Sequence, residues 1–262
     1  MNTKAIFFDI DGTLVSFKTH RIPPSTLDAV AALRSRGIKV YIATGRPVPF
    51  IDNLGELEYD GMITVTGAHC FTSGGEVIYH QSVSAESVGR VVGHLTHGAD
   101  AYPVIFVCSD EMFITELNED VDAVARLLDI KMPPVRPASY ACGKDVLQLI
   151  SFFKADREPH FMSALMPDCT SMRWHPFFTD VIAGGVDKSV GIDKVLAYEG
   201  LSLDEAMAFG DGGNDMAMLS HVPCGIAMGN ACEELKEVAA YVTASVDEDG
   251  VARALRHFGL IN

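Results

Sequence analysis

The stretch from Ala5 to Leu14, Ala-Ile-Phe-Phe-Asp-Ile-Asp-Gly-Thr-Leu, decides how this chain is read. Ala5 to Phe8 is an unbroken apolar run, the pattern of a short buried strand. It meets two aspartates, Asp9 and Asp11, and then Gly12 and Thr13. An Asx-turn closing a strand would account for one aspartate and the glycine. It gives no reason for a second carboxylate two residues after the first.

Working outward, Ser25 to Arg36 carries helical periodicity, with Ser25 as the expected N-cap and Gly37 as the stop. Ile38 to Ala43 is again strand-like. Strand, helix, strand at this spacing predicts a βαβ unit in a parallel sheet. Thr44 to Pro47 follows, then a short helix, a strand over Gly61 to Val65 and a hairpin turning at Ser73 to Glu76 on Gly74 and Gly75. From Ser82 to Asp180 the texture changes to paired strands with separate helices, one over Ala85 to His97 and another over Asn118 to Leu128, which predicts an α+β module. After Gly184 the alternation returns: a helix over Asp187 to Tyr198, a strand ending in Gly210 to Asp215 (GDGGND), a strand at Cys224, a helix over Ala231 to Ala239, a strand over Tyr241 to Ser245 and a closing helix. The expected fold is therefore α/β, a doubly wound, Rossmann-like parallel-sheet core (1–81 and 181–262) interrupted by an inserted α+β cap (82–180).

Composition narrows the function. The chain has 262 residues, 48% of them hydrophobic, and a formal charge of -15. That charge argues against a nucleic-acid partner, which needs clustered Lys and Arg, and it would repel an anionic metabolite unless a local cation reverses its sign. Six cysteines without a Cys-x-x-Cys pair predict reduced thiols and a cytoplasmic location. The N-terminal run has neither the length nor the cleavage site of a signal peptide, and no apolar stretch is long enough to span a bilayer.

Asp9, Thr44 and Asp211 each follow the carboxyl end of a predicted strand, and Lys188 lies in the first turn of a predicted helix. In an open parallel sheet those ends line one crevice. Two aspartates at i and i+2 allow one carboxylate to attack while the other moves a proton. Thr44, Gly45 and Arg46 offer donors suited to phosphate oxygens, and Lys188 a point charge for the same anion. The loop of Asp211, Asn214 and Asp215 supplies hard oxygen ligands that suit Mg2+. Asp9, Asp11, Asp211 and Asp215 facing one lysine could not also accept a phosphate dianion, a conflict that a divalent cation resolves. Neither acidic loop is an EF-hand, because its twelfth position is His20 in one and Val222 in the other. Taken singly, Thr44 reads as a helix N-cap and Lys188 as a solvated helix residue.

Jointly, FDIDGTL at 8–14, TGR at 44–46, Lys188 and GDGGND at 210–215 resemble the four ordered motifs of the haloacid dehalogenase superfamily phosphatases. The inserted module resembles the large α/β cap of the Cof-like branch, subclass IIB, and the similarity is closest to bacterial sugar-phosphate phosphatases. The resemblance implies a Mg2+-dependent phosphomonoester hydrolase acting on small phosphorylated metabolites, hexose phosphates first. It makes Asp9 the nucleophile and Asp11 the general acid and base. It places Thr44, Gly45, Lys188 and Asn214 on the phosphoryl group, with Arg46 beside them, and gives Mg2+ to Asp9, the backbone carbonyl of Asp11, Asp211 and Asp215, the last as ligand or as anchor for Lys188. One departure is Thr66-Gly67-Ala68, where many relatives carry Asn-Gly-Ala.

A phosphosugar mutase of the same superfamily would share these motifs and differ in returning the phosphoryl group to substrate. A phosphorylatable receiver domain would hold its Thr and Lys within one compact domain and has no use for Asp11. A sugar-phosphate-binding protein that had lost catalysis would have no reason to keep all four motifs. In the cap, Trp174, His175, Phe177 and Phe178 read as core aromatics rather than a sugar platform. His94 and His97, at i and i+3, lack the carboxylate motif of a zinc site.

Overall fold

The computed structural model describes residues 2–98, 101–128 and 130–262, which divide into two compact units. The stretch up to His80 together with Val186–Asn262 forms the first, and Gln81–Gly185 the second. The chain enters the first unit through β1 (Ala5–Phe8), α1 (Pro24–Ser35), β2 (Lys39–Ala43), β3 (Gly61–Thr64), β4 (His69–Thr72) and β5 (Val77–His80). The second unit holds α2 (Ala85–His97), β6 (Val104–Cys108), β7 (Met112–Ile114), α3 (Glu119–Leu128), β8 (Val146–Ser151), α4 (Glu158–Ala164), β9 (Cys169–His175) and β10 (Phe178–Ala183). The first unit resumes with α5 (Lys188–Glu199), β11 (Ala206–Gly210), α6 (Met216–His221), β12 (Cys224–Ala227), α7 (Glu233–Val238), β13 (Tyr241–Val242) and α8 (Gly250–His257).

The core sheet runs β13-β12-β11-β1-β2-β3-β4-β5, parallel from β13 to β3 and antiparallel through the β3-β4-β5 meander. Alternation along β1 builds both faces. Ile6 and Phe8 pack with Val30 and Leu33 of α1 and Val251 and Leu255 of α8. Ala5 and Phe7 face Ile192 and Val195 of α5 and Met218 of α6. Helices thus cover both sides of a mostly parallel sheet, which is why its central strands are apolar throughout. Strand order reverses at β1, which lies between β11 and β2 with Phe8 opposite both Phe209 and Ile42. The residues that follow these three strands therefore emerge side by side.

In the second unit, β7-β6-β8-β10-β9 is wholly antiparallel. Its core joins Val88 and Val91 of α2 and Phe161 of α4 to Phe106, Leu149 and Val181 of the sheet. The return to the first unit comes after Gly185 rather than at 181, because Val181 and Ile182 are paired into this sheet on both sides.

Some local expectations change. Helix α1 starts one residue before Ser25, with Pro23 at the cap and Pro24 pre-set for the first turn, and the Ser25 hydroxyl donates to Asp249 at 2.5 Å. The short helix after Pro47 is a single 3-10 turn, Val48–Phe50, since Pro47 and Pro49 remove two backbone donors. Helix α7 and strand β13 are shorter than the pattern suggested. All six cysteines are free, and burial pushes Cys70 up to about 12. Among the described residues no helix is long and apolar enough to cross a membrane.

Candidate active site

The amide of Asp9 donates to the carbonyl of Phe209 at 3.0 Å, which extends the β1-β11 pairing one step past the strand and fixes the Asp9 backbone. Its side chain meets Lys188, the first residue of α5. That helix is capped by Asp187, whose Oδ1 accepts from the amides of Ser189 at 2.8 Å and Val190 at 3.1 Å. Three successive residues, Val65, Thr66 and Gly67, have φ of 51°, 51° and 102°. This brings Gly67 so close to the α5 cap that a Cβ there would stand 2.0 Å from the Asp187 carbonyl oxygen. The strained turn seats the start of the helix, and with it the lysine.

Lys188 is fully buried, not a solvated helix residue, and its Nζ donates at 2.6 Å to both Asp9 Oδ1 and Asp215 Oδ1. Burial alone would lower its pKa, but the flanking Asp215 and Asp9 carboxylates reverse that and keep the ammonium charged. Asp215 uses its other oxygen, Oδ2, to accept from the amides of Asp211 and Gly212 at 2.9 Å each. Asp215 therefore bridges Lys188 and the turn at Asp211 and Gly212.

Ligand atoms of Asp9, Asp211 and Asp215 all lie within 4.8 Å of one another. Three carboxylates against one ammonium leave two negative charges uncompensated. Asp9 is accordingly held well above the usual carboxylate range, by burial first and then by Asp215 and Asp211 despite the opposing pull of Lys188. Asp211 is pushed up to about 7, by burial first and then by Asp215. A hard divalent cation is the partner that this donor set and this charge surplus fit.

Asp11 stands apart from that cluster. Its carboxylate takes a two-pronged bond from Arg46, Nε to Oδ2 at 2.7 Å and Nη2 to Oδ1 at 2.8 Å, while Arg46 Nη1 donates to the Phe50 carbonyl at 2.7 Å. The guanidinium expected on phosphate is directed at the acid instead. Thr44 is buried and caps no helix: its Oγ1 accepts from the Arg46 amide at 3.1 Å. The carboxamide of Asn214 lies against Gly45, close enough that a Cβ at Gly45 would be 3.2 Å from Nδ2. Residues 9, 11, 44–46, 188, 211, 214 and 215 are thereby gathered at one end of the sheet.

Gly12 has φ of 81°, and a Cβ there would stand 2.1 Å from Asp211 Oδ2. The glycine is required for the two acidic loops to touch. Two residues to which the motif reading gave no role, Thr13 inside the first motif and Asn230 outside all four, also meet Asp211: Thr13 Oγ1 donates to Oδ1 at 3.1 Å, and Asn230 Nδ2 to Oδ2 at 3.1 Å. Asn230 lies three residues past the carboxyl end of β12, whereas Asp9, Thr44 and Asp211 directly follow their strands, so a strand-end rule widened to the loop after β12 would have found it.

In the second unit, Trp174 is 59% exposed and donates from Nε1 to Asp180 at 2.9 Å, with its ring edge-on to the buried Phe178. His94 packs its ring near Tyr102. Among the described residues the only clustered set of potential metal ligands is the one containing Asp9.

Residues 6–255 match the haloacid dehalogenase-like hydrolase family model. The chain belongs to that family and is one of its phosphatases. The putative phosphatase YkrA of Bacillus subtilis is 36% identical over 265 residues, the whole of both chains. The solved structure of BT4131, a subclass IIB sugar phosphatase, superposes with a TM-score of 0.88 at 44% identity, covering 99% of this chain and all of that one. The phosphatase BT1666 from Bacteroides thetaiotaomicron superposes at 0.89 with 34% identity, covering 99% of this chain and 96% of that one.

Proposed function

We propose that this chain is a Mg2+-dependent phosphomonoester hydrolase of small phosphorylated metabolites, hexose phosphates first, working through an aspartyl-phosphate on Asp9. The observation that carries the reading is the division of labour among the acids. Asp9 lies in the cation-seeking cluster with Lys188, whereas Asp11 is held outside it by Arg46. This separation supports a reading in which one carboxylate attacks and the other transfers a proton.

In the first step an Asp9 oxygen forms a bond to phosphorus as the ester P–O bond breaks, and Asp11 gives its proton to the departing alkoxide. In the second, Asp11 takes a proton from water, the water oxygen bonds to phosphorus, and the acyl-phosphate bond breaks to release inorganic phosphate and regenerate Asp9. Thr44, the Gly45 amide, Lys188 and Asn214 hold the phosphoryl oxygens. Asp9, the Asp11 carbonyl and Asp211 would hold the metal, with Asp215 anchoring Lys188. When bound, Mg2+ would neutralise charge on the phosphoryl oxygens. Arg46 supports this scheme by holding Asp11 rather than by touching phosphate.

Selectivity is assigned to the inserted unit, and the sugar phosphate class is supported by the likeness to BT4131. The charge of -15 and the unpaired cysteines support a cytoplasmic enzyme without nucleic-acid or membrane partners. The test is phosphate release from hexose, pentose, triose, nucleotide and pyridoxal phosphates, with Mg2+ or EDTA, for wild type and Asp9→Asn. Mg2+-dependent release abolished by Asp9→Asn is expected. Absence of release from every ester would overturn the hydrolase, and phosphoryl return to a sugar would point to the mutase.

A further inference from the structure

We infer that Thr13 and Asn230 form a two-sided clamp that presets Asp211 for the divalent cation, an inference that rests on the metal-dependent reading above. Each oxygen of Asp211 receives one neutral donor: Thr13 Oγ1 on Oδ1 at 3.1 Å and Asn230 Nδ2 on Oδ2 at 3.1 Å. A carboxylate held at both oxygens loses its freedom to rotate about the Cβ–Cγ bond before any ion arrives. Neutral donors achieve this without consuming the negative charge, unlike the Lys188 ammonium, which is shared by Asp9 and Asp215.

The orientation of Asn230 is determined by its third partner. The Val246 amide can only donate, and it lies 3.0 Å from Oδ1, so the oxygen of the carboxamide faces Val246 and the NH2 group faces the acidic loops. That NH2 group also donates to the Gly12 carbonyl at 2.9 Å. Asn230 therefore joins the loop after β12, the loop after β1 and the acid after β11, with a fourth segment at Val246 holding the amide in register. Its two Nδ2 bonds meet where Gly12 allows the β1 loop to approach Asp211. Groups that orient a metal ligand without touching the ion alter affinity by about 10- to 100-fold when removed.

The test is direct Mn2+ binding, followed by the spin-resonance signal of the free ion in the absence of substrate, for wild type, Thr13→Val, Asn230→Ala, Asp211→Asn and the combinations. We expect each single clamp variant, folded by circular dichroism, to bind Mn2+ about tenfold more weakly or worse. We also expect Asn230→Ala to cause no further loss in the Asp211→Asn background. Thr13→Val leaves the Val246 contact untouched and tests the clamp even where Asn230→Ala fails to fold. A dissociation constant within twofold of wild type for the folded clamp variants, or an equal loss without Asp211, would overturn the clamp. If wild type itself binds no Mn2+, it is the metal-dependent reading that fails.

Discussion

The two units each surround a cation with acceptors, Lys188 fully buried in the first and Arg173 partly buried in the second, and they use it differently. In the first, Lys188 lies between Asp9 and Asp215 with Asp211 beside them, so negative charge exceeds positive. In the second, Arg173 donates from Nε to Glu158 at 2.5 Å and from Nη1 to the carbonyls of Phe153, His175, Pro176 and Phe178 at 3.0 to 3.3 Å. Burial would raise the pKa of Glu158, but Ser171 and Arg173 more than offset it and hold the acid below its usual range. One carboxylate meets one guanidinium there, and the surplus bonds go to neutral carbonyls that tie β9 to β10. A balanced, partly buried charge pair is architecture. An unbalanced one is a donor set that fits a divalent cation.

The sharpest way to break that distinction is to remove each cation. Lys188→Met should lower kcat/KM by about 10³-fold, about 4 kcal/mol, and lower Tm in EDTA, with part of the Tm recovered by Mg2+ as the ion replaces the lost positive charge. Arg173→Met should cost about 2 to 3 kcal/mol in urea denaturation, between the values for exposed and fully buried pairs, and leave kcat within about twofold. If Arg173→Met abolished turnover as fully as Lys188→Met with the fold intact, the contrast would collapse.

A finer comparison lies inside the first unit, between the acid in the cluster and the acid outside it. Arg46→Met should misdirect Asp11 while leaving Asp9 in place. Turnover of alkyl phosphates, whose leaving groups need a proton, should then fall about tenfold more than turnover of p-nitrophenyl phosphate. Equal losses on both esters would place Arg46 on the phosphoryl group.

The smallest effect concerns Asp180 of the second unit, an acid raised by burial rather than held down by a charge partner. Burial pushes Asp180 up to about 7, opposed only by the bond from Trp174. A carboxyl with a raised folded pKa favours the folded state below its unfolded value, and that contribution is lost as pH rises from about 4 to about 7. The Tm of Asp180→Asn relative to wild type should therefore climb by a few degrees across that window and level off above it. A flat difference would mean that Asp180 is not raised.

Much of this was legible because chemistry and topology coincide at strand ends. The run from Ala5 to Phe8 announces a buried strand, the aspartates follow its end, and the parallel-sheet rule brings Thr44 and Asp211 to the same place. What could not be read were the directions of side chains with more than one plausible partner. Arg46 had Asp11 and phosphate to choose from, and Asp215 had the metal and Lys188. Ser25 looked like a cap, but two prolines started the helix ahead of it.

By itself, the sequence determined the strands, the insertion and the set of acids and cations, because apolar periodicity and residue type are local properties. Only the tertiary structure decided which of them touch. The order β12-β11-β1-β2 brings Asn230, Asp211, Thr13 and Thr44 together from four separate strand ends. Hydrogen-bond geometry over a few ångströms then assigns Asp215 to Lys188, Asp11 to Arg46 and Asp211 to Thr13 and Asn230, which no spacing along the chain encodes.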